Sequence, residues 1–116
     1  MATARSPVSD MLMTVKSQEL QRGMLAEMRN DHTGAARHFL AVAHLELVLA
    51  DDYMQAGQAD LALRSHLSAA SCFWRAYHSD QARALFATLL QQYPMQAPII
   101  RQTLAELERD YPKTDE

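Results

Sequence analysis

Hydrophobic residues recur every three or four positions along most of the chain, which is the spacing of one face of an α-helix. The first stripe begins after Ser6-Pro7, a serine able to cap a helix and a proline suited to its first turn. It continues to Met28, and polar residues interrupt it at 30–34. The pattern therefore predicts a first helix that ends near Met28, with Asp31 or Thr33 capping the second.

The second predicted helix, from about Ala35 to Gln55, is apolar almost all round in its middle. A helix without a broad polar face is normally the most buried one. Gly57 interrupts the pattern, and a third stripe of apolar residues continues to about His78. We therefore expect the second helix to be central and the third to pack beside it.

Two further helices are predicted downstream. Ser79-Asp80 is expected to cap the fourth, which Pro94 stops, and a shorter fifth helix uses Ile100, Leu104 and Leu107. Short connections between helices of this length make neighbours antiparallel. The sequence thus predicts an all-α fold: an antiparallel bundle of four long helices plus a short C-terminal helix. We expect a single domain over 1–116, frayed at 1–6 and 112–116.

Composition excludes several classes of function. The 116 residues carry a net charge of −3 and no block of like charges, so we expect no nucleic-acid partner. The longest apolar run, 39–50, is interrupted by His44 and Glu46 and is shorter than the roughly 20 residues of a membrane span. The N-terminus lacks the apolar core of a secretory signal. We therefore expect a cytoplasmic protein that does not span a membrane.

Metal and catalytic signatures are not recognisable. His38 and His44 are six residues apart, as are His66 and His78 from Cys72, whereas two ligands on one helix need a separation of three or four. The single cysteine excludes an intrachain disulfide. The sequence shows neither a glycine-rich phosphate loop nor a nucleophile elbow. We expect no metal, no cofactor and no catalytic residue, which favours a non-enzymatic protein and leaves the question of an enzyme open.

Small residues mark where the second and third helices approach closely. The positions concerned are Leu49-Ala50, Tyr53, Gly57, Ala62 and Ala69. This spacing resembles one tetratricopeptide repeat, and a partial second match consists of Asp80, Ala82, Phe86, Leu89 and Pro94. A weaker echo consists of Ala36, Leu40 and Ala43. The marker alanines Ala36, Ala62 and Ala82 are 26 and 20 residues apart, whereas the family repeats at about 34. The resemblance implies hairpin packing of the tetratricopeptide type within a bundle rather than a regular solenoid.

The resemblance also implies a binding surface. Tetratricopeptide proteins contact their ligands through the first helix of each pair, and the matching positions here are His44, Asp51 and Gln55. They lie at helical spacing with Val48 between them, which suits either a docking face or an ordinary solvent-facing edge. Trp74 is a further candidate, because it is either a core residue or an interaction anchor at an edge.

The leading interpretation is an adaptor or chaperone-like module that binds a protein or peptide segment in a groove between helices. A second copy of the chain is a further candidate partner, because the methionine-rich first helix is either core or an adaptable surface. The alternative is a helical-bundle protein or enzyme that binds a small ligand or cofactor, with a buried pocket near His44 and Glu46. A structural subunit of a larger assembly is a third alternative, and the sequence does not separate it from the first.

Overall fold

The structure, a computed structural model, describes residues 7–112, which form five α-helices, one 3-10 turn and no strand. The helices are α1 (Pro7–Met28), α2 (His32–Gln55), α3 (Ala59–Arg75), α4 (Ser79–Gln92) and α5 (Ala97–Asp110), with the 3-10 turn at Pro94–Gln96. The all-α class and the five predicted helices are confirmed. With 14 residues each, α5 is as long as α4. The predicted Ser6 cap and the predicted fraying at 1–6 and 113–116 lie outside the described residues.

Two helix boundaries differ from the sequence prediction. The second helix begins at His32 rather than Ala35, because the Asp31 side chain accepts a hydrogen bond from the Gly34 N–H at 2.9 Å and caps the helix there. The third helix ends at Arg75 rather than near His78, because Tyr77 has left-handed backbone geometry with φ of 66°.

The first three connections between helices share one backbone motif. Asn30, Gly57 and Tyr77 have φ of 61°, 74° and 66°. Each donates its N–H to the carbonyl three residues back, and the following residue donates to the carbonyl five residues back. This pair of hydrogen bonds satisfies carbonyls that the end of a helix would leave without partners. The chain therefore reverses in the same way after α1, α2 and α3, and successive helices are antiparallel.

The helices form an elongated array of 51 × 31 × 16 Å. Each packs on the next one in the chain, and α5 packs on both α3 and α4. Within the described ranges of α2 and α4, no Cα atom of one helix lies within 8 Å of a Cα atom of the other. The same holds for α1 and α3. The third helix thus joins the N-terminal and C-terminal parts of the array.

The core is centred on α2 and α3. The largest fully buried side chains are Phe39, Val42, Leu49, Phe86, Leu89 and Ile100. Ala43 and Ala50 on α2 and Ala62 and Ala69 on α3 are also fully buried, which lets the two backbones approach closely. Gly23 has a similar role on α1, because a Cβ atom there would lie 3.3 Å from the Phe39 ring. None of the helices in residues 7–112 is long and apolar enough to cross a bilayer.

Candidate functional site

The outward side of α2 carries exposed polar and apolar side chains at helical spacing. We define the α2 face as His44, Val48, Asp51, Met54 and Gln55, all of which are exposed. Positions 44, 48, 51 and 55 follow one another at separations of four, three and four residues, so they share one face of the helix. Val48 and Met54 are each 49% exposed. The three α2 residues predicted from the sequence therefore lie together on one surface.

His44 is held at the edge of the α2 face by an aromatic contact. Its ring meets the ring of Phe73 on α3 edge to face, with 5.4 Å between centroids and 89° between planes. Phe73 is buried, so one edge of the imidazole is fixed against the core while the side chain stays open to solvent. His44 is thus a positioned polar group rather than a freely rotating one.

Asp51 and Gln55 form a polar pair one helical turn apart. The Gln55 Nε2 donates a hydrogen bond to the Asp51 Oδ2 at 2.9 Å. This bond orients the carboxylate along the helix surface at a separation of four residues, where side chains of a helix meet. The pair gives the α2 face an acceptor of fixed direction, suitable for a donor or cation on a partner.

Next to the α2 face, α2 and α4 both pack on α3, but within the described ranges no Cα atom of one lies within 8 Å of a Cα atom of the other. A side-chain contact joins the two helices near their C-terminal ends: the Tyr93 Oη donates to the Met54 Sδ at 3.4 Å. We call the region between these two helices the α2/α4 cleft. The sequence prediction did not include Met54 and Tyr93 as part of a site, because their proximity depends on how α4 is placed.

His66 is a further polar residue on the side of α3 that carries Phe73, seven residues away. Its Nδ1 is shielded from solvent and has no hydrogen-bond partner among the described residues. Burial lowers the pKa of His66, and the nearby carbonyl of Ala62 opposes that effect. His66 therefore remains neutral down to a lower pH than an exposed histidine does. In the sequence, the separation of seven residues, about two helical turns, was the feature that could have placed His66 on the same side of α3 as Phe73.

The structure does not place Trp74 on the α2 face. Its side chain is 4% exposed, its Nε1 donates to the Tyr111 carbonyl at 2.7 Å, and the Arg83 guanidinium lies 5.0 Å from its ring centroid. The prediction that Trp74 lies at an edge and serves as an interaction anchor is therefore wrong. The indole N–H needed an acceptor, and the end of α5 supplies it inside the core.

His44 and Glu46 do not converge on one pocket. Two residues rotate a helix by about 200°, so the side chains point to different sides of α2. Glu46 is 5% exposed, and its Oε2 lies 3.5 Å from the Lys16 Nζ on α1. Its Oε1 has no hydrogen-bond partner among the described residues. The buried carboxylate therefore belongs to the α1–α2 interface, and the structure supports no shared site with the exposed His44.

Within residues 7–112, no group of three or more His, Cys, Asp or Glu side chains is arranged to hold a metal ion. Cys72 is buried, and burial raises the pKa of its thiol to about 11, with a further contribution from the charge of Glu46. A thiol with that pKa is a poor nucleophile at neutral pH.

Comparison of the chain with protein-family models, with curated proteins and with solved structures finds no match. The tetratricopeptide resemblance accordingly stays a prediction from sequence.

Proposed function

We propose that the protein is a non-enzymatic interaction module, an adaptor or chaperone-like protein, that binds a segment of a partner protein along the α2 face in the α2/α4 cleft. One observation carries this proposal. The second helix, packed on one side by α1 and on another by α3, leaves Val48 and Met54 half exposed among three polar side chains.

The chemistry of the α2 face suits a short amphipathic segment. Apolar side chains of the segment would bury Val48 and Met54, which supplies most of the favourable free energy. A donor or a cation would meet the Asp51 carboxylate, which fixes the register of the segment. His44 and Gln55 lie at the two ends of this row and provide further hydrogen bonds. A helix laid into a groove between two helices uses this arrangement of contacts.

The family resemblance supports the same surface on separate grounds. In tetratricopeptide proteins the first helix of each pair carries the ligand contacts, and α2 is the first helix of the hairpin that ends with α3. We further propose that the protein acts in the cytoplasm, since its single cysteine is buried as a thiol and requires no oxidising compartment.

The proposal is tested with peptides selected from a random library displayed on phage against the immobilised full-length protein. An enriched peptide is synthesised, and its affinity is measured by isothermal titration calorimetry. We expect His44→Ala/Asp51→Ala/Gln55→Ala to weaken binding at least about tenfold, and Val48→Asp to do the same by placing a charge in the apolar centre.

The matched control lies on α5, where the Gln102 Nε2 donates to the Glu106 Oε2 at 3.2 Å with the same spacing of four residues. The Gln102→Ala/Glu106→Ala variant removes an equivalent pair and should leave peptide affinity unchanged. The emission of the single, buried Trp74 reports whether each variant is folded. Peptides that bind the α2 variants as tightly as the parent, or a library without enrichment, would contradict the proposal.

A further inference from the structure

The first helix has an inward face that repeats every seven residues. Ser9, Lys16 and Gly23 mark it. The Ser9 Oγ donates to the Asp52 Oδ2 at 2.8 Å, the Lys16 Nζ pairs with Glu46, and Gly23 lies against the Phe39 ring. All three contacts are made with α2, which is the helix on which α1 packs. The inward face is therefore fully defined, and the opposite side of α1 can be considered separately.

Exposed apolar side chains are frequent on α1. Six of the twelve exposed large hydrophobic residues in the described part of the chain lie on this helix, which supplies only 22 residues. Met11, Leu25 and Met28 lie opposite the inward face, whereas Val8, Val15 and Met24 lie on the flanks of the helix, about 80–100° from that face. Single exposed apolar residues are common, so their arrangement on the outer side decides whether they form an interface.

The row at the centre of this outer side has the spacing of a coiled-coil seam. It consists of Met11, Thr14, Gln18, Gln21, Leu25 and Met28, which we call the α1 seam. The separations are three, four, three, four and three residues, as in the a and d positions of heptads. Every member is exposed and none is charged. A seam of this length, on a helix of about 33 Å, can accept one further helix.

The α1 seam is complementary to itself when its direction is reversed. Positions 11 and 28, 14 and 25, and 18 and 21 are placed symmetrically about a point between Gln18 and Gln21. A two-fold axis at that point sets Met11 against the second Met28, Thr14 against Leu25, and the two amides against each other. Apolar layers then close both ends of the contact while hydrogen-bonding layers occupy its middle.

We propose that the α1 seam binds a second copy of this chain, with the two α1 helices antiparallel about that axis. The charges on α1 favour this partner over a membrane surface or a charged protein. Arg22 is tied to Glu19 of its own helix by a bond of 2.8 Å, and Lys16 faces inward to Glu46. Asp10 and Arg29, exposed at the two ends of the seam, are of opposite sign and fall opposite each other across the axis. The outer side therefore has neither a basic cluster for anionic lipids nor like charges that face each other across the axis.

One helix face is small for a specific interface, which commonly buries about 800 Å² on each partner. We therefore expect a dimer with a dissociation constant in the range of about 1–100 μM, observable by raising the protein concentration. The α1 seam shares no residue with the α2 face, so the dimer and the proposed binding function can fail independently.

The test is sedimentation equilibrium of the full-length protein over a concentration series. The expected mass rises from the 13.1 kDa of one chain towards twice that value. Either Met28→Glu or Met11→Lys should weaken dimerisation at least about tenfold, because each buries a charge without a partner in two symmetric layers.

The combined variant tests the antiparallel arrangement. In Met11→Lys/Met28→Glu, each new lysine faces a new glutamate across the axis, so dimerisation should recover to within about threefold of the parent. A parallel pair would set lysine against lysine and glutamate against glutamate, and it would not recover. The matched control is Met95→Glu, since Met95 is 85% exposed on the 3-10 turn and lies outside the seam. It should leave the dissociation constant unchanged.

Met11 and Met28 are exposed at 66% and 79%, so the variants should retain the helical circular dichroism and the melting temperature of the monomer. A mass that stays at one chain at all concentrations would overturn the proposal. So would self-association that Met28→Glu leaves intact, or a combined variant that remains monomeric while both single variants are folded.

Discussion

The α2–α3 hairpin and α1 place their apolar residues in opposite ways. In the hairpin, large side chains such as Phe39 and Leu49 are fully buried, and alanines such as Ala50 and Ala69 let the two helices approach closely. In α1, the buried residues are small ones such as Ser9 and Ala26, whereas its methionines and Leu25 are partly or largely exposed. Two helices of similar length, α1 and α2, thus serve different purposes.

Several polar contacts hold α1 in place, beside the packing of Leu20 and Ala26 on the core. Besides the Ser9 and Lys16 contacts, the Glu19 Oε1 lies 2.8 Å from the His38 Nδ1, and the Arg75 Nη2 donates to the Glu27 Oε1 at 2.6 Å. Ion pairs that remain partly exposed each contribute little to the free energy of unfolding. Hydrophobic burial therefore stabilises the hairpin, whereas α1 leaves much of its apolar side-chain surface exposed.

The largest expected difference between the two regions concerns one core side chain. Phe39→Ala should lower the free energy of unfolding by about 3–5 kcal/mol, because it opens a cavity where the ring meets the Gly23 backbone and the Arg75 guanidinium, 4.2 Å from its centroid. Urea unfolding followed by circular dichroism measures this change. Met28→Ala on α1 should change it by less than about 0.5 kcal/mol. Equal losses in both variants would remove the contrast between the regions.

The same contrast separates what the sequence predicted from what it did not. Apolar spacing of three and four residues predicted each helix, because a helix buries its residues at that period. The end of α3 was predicted too late because Tyr77 adopts a left-handed conformation. A glycine usually occupies such a position, as at Gly57, and makes it recognisable in the sequence. The start of α2 was predicted too late because glycine usually interrupts a helix. In the structure, the Gly34 N–H donates to the Asp31 side chain within the first turn.

The candidate site was predicted in part for a similar reason. His44, Asp51 and Gln55 lie on one helix, so local spacing was enough to place them on one face. The contribution of Tyr93 to the cleft and the burial of Trp74 depend on the positions of α4 and α5, which no local pattern specifies. The pairing of Glu46 with a lysine on α1 likewise depends on how α1 packs on α2.

Thiol reactivity gives a second test of the contrast. The rise in the pKa of Cys72 from 9.0 to about 11 on folding lowers its thiolate fraction at pH 8 by about 100-fold. A thiolate of higher pKa is intrinsically more nucleophilic, which offsets about tenfold of this loss. The folded protein should therefore react with a disulfide reagent at least about tenfold more slowly than the chain unfolded in urea. In a Cys72→Ala background, Ser17→Cys on the outer side of α1 should react at the rate of a free thiol. A native Cys72 that reacts as fast as the unfolded chain would show that the hairpin opens readily.

The smallest of these effects concerns the ion pair between the two regions. Lys16→Met removes the cation 3.5 Å from a carboxylate that is 6% exposed, and leaves Glu46 without its partner. We expect the free energy of unfolding to fall by about 1–2 kcal/mol. This is the lower part of the range of about 1–3 kcal/mol for a buried polar group that loses its partner, because Lys16 is itself 24% exposed. Urea unfolding of the single variant measures the change.

The double variant Lys16→Met/Glu46→Leu shows whether the ion pair stabilises the fold or only offsets the cost of burying the Glu46 carboxylate. If the pair costs as much in desolvation as it returns, the double variant should match or exceed the parent in stability, since two apolar side chains replace two partly dehydrated charges. A double variant less stable than Lys16→Met alone would instead show that Glu46 itself stabilises the helix interface. A double variant as stable as the parent would leave the hairpin core as the main source of stability. A double variant less stable than Lys16→Met would assign part of the stability to the interface between α1 and α2.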